Sequence, residues 1–115
     1  AARGGEIEVD GETASLLDYA ATCHAQSDGL FDITSGVLRR AWRFAAGRLP
    51  DARELEALLS HVGWQRLDWR APRLRFPTPG LELDFGGVVK EYAADRAVTL
   101  CREAGISGGV INLGG

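Results

Sequence analysis

Nothing in this chain is built to cross a bilayer as a helix, since no apolar run approaches the roughly 20 residues a span requires. It also lacks an excess of positive charge. The net charge of −3 leaves no electrostatic footprint for nucleic acid or an anionic membrane surface. Cysteines and histidines number two each, with no CxxC spacing, which excludes a disulfide framework and a zinc centre of the usual kind. There is no GxGxxG and no GxxxxGK[ST], so dinucleotide-fold and P-loop readings fail on spacing. Internal repeats and low-complexity tracts are missing as well. No charged-then-apolar leader opens the chain, an absence that suits a cytosolic chain, a processed one, or a piece of something longer.

The remainder is ordinary for a soluble globular domain, 45% apolar and 25% charged over 115 residues. That length supports a modest core and one domain or less. The ends favour an internal fragment: Ala1-Ala-Arg-Gly-Gly5 has the look of a loop tail, and Gly109-Val-Ile-Asn-Leu-Gly-Gly115 of a strand leading into a further element.

Local signals give an order of elements. Glu6 to Val9 suits a short strand. Asp10 is a good N-cap for a helix running to about Gln26, with Leu16, Leu17, Ala20, Ala21 and His24 on one face. Ser27-Asp-Gly29 ends it, with Gly29 suited to a left-handed backbone. Phe31 to Thr34 is expected to be extended, and Ser35 to Trp42 to make one or two helical turns before a loop from Arg43 to Pro50. Asp51 and Glu54 form a capping box for a helix carrying Leu55, Leu58, Leu59 and Val62, closed by Gly63. Alternation then predicts three strands around Leu67–Trp69, Leu74–Phe76 and Leu81–Leu83, joined as an antiparallel meander. A helical stripe of Val89, Ala93, Ala97, Leu100 and Ala104 ends at Gly105, and Val110 to Leu113 reads as a final strand. The fold class is α+β (mixed α/β), with helices packed on a largely antiparallel sheet.

Two segments carry chemistry. In Leu81-Glu-Leu-Asp-Phe-Gly-Gly-Val-Val-Lys90 a strand ends in an acid and passes through paired glycines into a helix. Free N–H groups at a helix start suit an anion such as a phosphate. Lys90 in the first turn opposes the helix dipole and needs an anionic partner. Locally two partners stay open: Asp84, in a surface ion pair of little energy, or a bound phosphate. In Ser27-Asp-Gly-Leu-Phe-Asp-Ile-Thr34 two acids flank a glycine turn and an aromatic residue. This is either a ligand-facing loop or a helix cap with an Asx-type turn and Phe31 in the core.

Other residues read as structural. Cys23 and Cys101 suit small buried hydrophobes, and His24 a packed, hydrogen-bonded histidine. His61 sits harmlessly at a helix C-terminus. Trp42, Trp64 and Trp69 suit core or half-buried positions, and Arg39, Arg40, Arg43 and Arg48 a solvated basic face.

In this order, Ser27-Asp-Gly-Leu-Phe-Asp-Ile-Thr-Ser-Gly-Val-Leu38, Trp42, Val62-Gly-Trp64, Leu83-Asp-Phe-Gly-Gly-Val-Val-Lys-Glu-Tyr-Ala-Ala-Asp95 and Val110-Ile-Asn-Leu-Gly-Gly115 resemble the ApbE family, the FAD:protein FMN transferases. The likeness covers nearly the whole chain and implies the central portion, 1–115, of one such domain. It implies magnesium-dependent cleavage of the FAD pyrophosphate and transfer of FMN to a threonine hydroxyl of a target protein, such as a respiratory or redox flavoprotein subunit, with release of AMP. By the same resemblance Leu30, Phe31, Asp32, Asp84 and Lys90 contact FAD, and Gly87 gives a backbone carbonyl to Mg2+. The remaining metal ligands, an aspartate and a threonine, and the catalytic residues are expected outside this segment. A bacterial periplasmic or inner-membrane-anchored setting is implied, the anchor lying outside this segment, with the cytoplasm also open. Competing expectations are a non-catalytic flavin-binding module and a magnesium-dependent FAD pyrophosphatase. The chain departs from the family at Val89-Lys-Glu91, where members often have Ala-Lys-Gly; Glu91 sets an acid beside Lys90.

Overall fold

The computed structural model describes residues 5–42 and 44–114. Ala1 to Gly4 of the expected loop tail, Arg43 of the expected basic cluster and Gly115 at the end of the expected final strand segment lie outside them. The chain divides into two compact units, Ala1–Asp84 and Phe85–Gly115. The class is α+β as expected, with three α-helices and one small antiparallel sheet among the described residues. Among the described residues no helix is long and apolar enough to cross a membrane.

In the first unit β1 (Glu6–Glu8) leads into α1 (Gly11–Gln26). Asp10 caps this helix, its Oδ1 accepting from the Thr13 N–H at 2.7 Å, which satisfies one of the donors a helix start leaves unpaired. Leu16, Leu17 and Ala20 are buried on the expected face, while Ala21 and His24 are half-buried. A 3-10 helix follows at Gly36–Arg40, and another at Phe44–Ala46 lies within the expected loop. Helix α2 (Ala52–Leu59) is capped by Asp51, which accepts from the Arg53 N–H. It stops at Leu59, short of Gly63, and packs against the 36–40 turn.

The sheet is β2 (Asp68–Arg70), β3 (Arg73–Arg75) and β1, in the order β1-β3-β2. Ile7, Leu74 and Trp69 are cross-strand neighbours and share a face, with Leu74 buried. The alternate positions are charged, Arg75 between Glu6 and Asp68 and Arg73 between Glu8 and Arg70. This is the pattern of a sheet with one face on a core.

Several expectations are corrected. The meander does not form: the free edge of β3 pairs with β1, and Leu81–Leu83 makes only one parallel bridge, Glu82 to Ser35. Residues 33–35 are a turn entering a 3-10 helix, so no ladder can extend from that bridge. Phe31–Thr34 is likewise a turn, because the Asp32 carboxylate accepts from the Thr34 N–H and bends the backbone. Trp42 is exposed, whereas Trp64 and Trp69 are half-buried as expected. Trp69 Nε1 donates to Asp18 Oδ1 at 2.8 Å, tying β2 to α1. Cys23 and Cys101 are free and half-buried, less enclosed than anticipated.

In the second unit α3 spans Val89–Glu103 and ends before Gly105. The expected apolar stripe is misplaced: Val89, Ala93 and Leu100 are exposed, and Tyr92, Ala94, Ala97, Val98 and Cys101 are the half-buried positions. Val110 to Leu113 is not a strand, and Val110 is 93% exposed. An apolar extended pattern becomes a strand only within a ladder of backbone hydrogen bonds, and residues 110–113 are not assigned to one.

Candidate functional site

The site grows from the end of α1. Ser27 Oγ accepts from the Phe31 N–H at 2.8 Å, and the Gly29 N–H donates to the His24 carbonyl at 2.9 Å. Asp28 and Gly29 take positive φ values of 54° and 79°. That conformation is unusual for a non-glycine residue and persists only where its surroundings hold it. The effect is to carry Leu30 outward, 92% exposed, with Phe31 half-buried behind it.

Asp32 is the peg of this turn. Oδ1 accepts from the Thr34 N–H at 2.9 Å and from Thr34 Oγ1 at 2.6 Å. Oδ2 accepts from the Trp64 N–H at 2.9 Å and lies 3.5 Å from His24 Nε2. Thr34 is fully buried, and its Oγ1 accepts from the Gly63 N–H at 2.7 Å. Most of the lone-pair capacity of this carboxylate is therefore taken by the protein. Asp32 fixes the shape of the loop that carries Leu30 and Phe31.

Asp84 is brought to the same place. Its N–H donates to the Ile33 carbonyl at 2.7 Å, beside the Ser35–Glu82 bridge. Two motifs half a chain apart in sequence are thus joined in the first unit. The Asp84 side chain is half-exposed and lies 3.8 Å from Arg39 Nη2. Arg39 also lies 3.9 Å from Glu82, and Arg40 pairs with the same carboxylate. Arg39 and Arg40 are exposed, as expected of a solvated basic face, and they also pair with acids. Adjacent arginines, and acids at alternate positions 82 and 84, were the available signal. His24 is half-buried, as expected of a packed histidine, and its contact is Asp32.

Gly87 and Lys90 lie in the second unit. Lys90 is in the first turn of α3, as expected, and Val88 at the N-cap position offers no side-chain acceptor. A cleft of about 350 Å³ lies between Lys90, Glu91 and Ala94 on α3 and residues 111–114. This is near the small end of ligand pockets (roughly 300–1,000 Å³). Cation, helix start and cleft together suit part of a phosphorylated ligand.

A divalent cation is less well served. Among the described residues no group of three or more His, Cys, Asp or Glu side chains converges as a metal centre. Magnesium seeks six oxygens, so a carbonyl at Gly87 is at most one of several, and the residues described do not complete a site.

Known proteins resemble this chain in sequence and in fold. A FAD:protein FMN transferase of Klebsiella pneumoniae is 31% identical over 113 residues, covering 95% of this chain and 36% of that protein. The crystal structure of the ApbE protein from Thermotoga maritima is similar with a TM-score of 0.76 at 32% identity, covering 86% of this chain and 34% of that one. The flavin transferase ApbE from Vibrio cholerae, at 22% identity, shares the fold with a TM-score of 0.87, covering 100% of this chain and 38% of that one. The chain thus spans about a third of the length of these relatives. The ApbE family model matches residues 1–115, and the chain belongs to the ApbE family.

Proposed function

We propose that this chain contributes the FAD-holding part of an FAD:protein FMN transferase. One observation carries the reading most: the 2.7 Å hydrogen bond from Asp84 to Ile33 puts the Asp-Gly-Leu-Phe-Asp turn beside the acid of the Asp-Phe-Gly-Gly segment. FAD is the substrate. Leu30 and Phe31 offer apolar surface to it, Asp32 holds their turn, and Asp84 accepts a hydrogen bond from it. Lys90 and the start of α3 meet the pyrophosphate, where preorganised charge favours a bond-breaking step without reorganisation.

The proposed reaction attaches FMN to a protein. A threonine hydroxyl of the acceptor attacks the FMN-side phosphorus. The pyrophosphate P–O bond breaks, AMP leaves, and the hydroxyl proton is lost as the phosphoester forms. Magnesium belongs to the proposal as a further source of positive charge, with the Gly87 carbonyl as this chain's contribution. The described residues act by binding, orienting and neutralising charge.

The test is magnesium-dependent conversion of FAD to AMP by the full-length protein, with flavin labelling of an acceptor protein at threonine. AMP release with labelling is expected. FAD binding without AMP would make the protein a non-catalytic flavin-binding module, and AMP without labelling would make it an FAD pyrophosphatase.

A further inference from the structure

Asp84 belongs to a chain of alternating charges. Arg40 pairs with Glu82 Oε1, Arg39 lies 3.9 Å from Glu82 Oε2, and Arg39 Nη2 lies 3.8 Å from Asp84 Oδ2. Arg39 is itself held, because its Nε donates to the Gly36 carbonyl at 2.9 Å. Backbone contacts hold the acids: Glu82 bridges to Ser35, and the Asp84 N–H bonds to Ile33. Gly36 makes the approach possible. A Cβ there would stand 3.1 Å from both Arg39 Nη2 and Asp84 Cβ.

We propose that Arg39 is a positioning residue for the ligand site, orienting the Asp84 carboxylate and offsetting its charge. The inference rests on the proposed contact between Asp84 and FAD. Holding the fold together is a poor account of these pairs. The Arg39 and Asp84 side chains are 62% and 47% exposed, and exposed pairs contribute little to stability. An uncompensated carboxylate facing an anionic ligand such as FAD would repel it. With the guanidinium behind it, Asp84 can accept a hydrogen bond from the ligand at less electrostatic cost. The planar fork of arginine also serves the Gly36 carbonyl, Glu82 and Asp84 together, which the single ammonium of lysine cannot reproduce.

The experiment is a double-mutant cycle on the full-length protein, read by calorimetric titration with FAD. Arg39→Ala is expected to weaken binding about fivefold, the upper range for a surface ion pair. The thermal midpoint should stay unchanged and the effect should disappear in an Asp84→Asn background. Arg39→Lys should recover only part of the affinity, and added salt should narrow the gap between wild type and Arg39→Ala. Arg39→Ala without effect, while Asp84→Asn weakens binding, overturns the inference and leaves the Asp84 contact standing. Additive losses overturn it by making Arg39 an independent contact. A lowered thermal midpoint that tracks the affinity loss reduces Arg39 to a structural role. If Asp84→Asn leaves FAD binding unchanged, the Asp84 contact falls and the inference falls with it.

Discussion

Trp64 donates its backbone N–H to Asp32 Oδ2 at 2.9 Å, across 32 positions of chain. With the Thr34 hydroxyl accepting from Gly63, this bond ties the Leu30–Phe31 turn to the segment after α2. Thr34 is fully buried, so breaking the network leaves a polar group without a partner. Thr34→Val is expected to cost about 1–3 kcal/mol, read as a lower urea midpoint, and Thr34→Ser distinctly less. Asp32→Ala should cost a similar amount. The double variant should lose less than the sum, because both side chains belong to one network; strictly additive losses would show that they act separately.

The same bond marks what could be read in the sequence. Helices α1 and α2 were legible because Asp10 and Asp51 signal their starts over a few residues, and β2 and β3 because Trp69 and Leu74 alternate with charged neighbours. Leu81–Leu83 alternates equally well and is not a strand. Alternation says which side chains share a face, whereas strand pairing is decided by what reaches the open edge, and β1 reached it from the far end of the unit. Asp32 stood out as a candidate, but its partner Trp64 N–H could not be seen locally. Arg40 is solvent-exposed as its sequence suggests, but its pairing with Glu82, 42 positions away, has no local signal.

Acid should weaken the start of α1. Hydrogen bonds from Thr13, first from its backbone N–H and then from its side chain, hold the Asp10 carboxyl below its ordinary value of 3.8. A lowered native pKa means that the unfolded chain binds the proton more readily, so stability rises with pH through this window. The contribution of the cap is fully present above the unfolded pKa and is lost as pH falls through the lowered native value. Asp10→Asn keeps a capping oxygen but does not titrate. Its thermal midpoint should fall less than that of wild type between about pH 5 and 3; parallel profiles would remove Asp10 from the acid response.

Gly36→Ala tests close approach. The added methyl would stand 3.1 Å from Asp84 Cβ and 3.4 Å from the Asp84 backbone nitrogen. The backbone cannot swing aside as a side chain can, so segment 82–84 must shift. Overpacking of this kind typically costs about 1–3 kcal/mol. FAD affinity should fall along with the thermal midpoint. A variant with wild-type stability and affinity would show that Gly36 is not needed for the approach of Asp84.

Lys90→Ala should move stability and binding in opposite directions. In the first turn of α3 a cation meets the positive end of the helix dipole, and Val88 supplies no capping acceptor. Removing the charge should stabilise the helix by about 0.3–1 kcal/mol, and alanine's higher helix propensity adds to that. If the ammonium meets the FAD pyrophosphate, the same change removes a charge-assisted hydrogen bond of about 1.5–3 kcal/mol, which is roughly tenfold or more in affinity. The expected pair of results is an equal or higher thermal midpoint with weaker FAD binding and a shallower salt dependence. A higher midpoint with unchanged affinity would mean that Lys90 faces no ligand phosphate. A lower midpoint would mean that its charge is already satisfied within the protein. Only the split outcome is specific to an anion held at this helix start, because loss of a structural contact lowers both quantities.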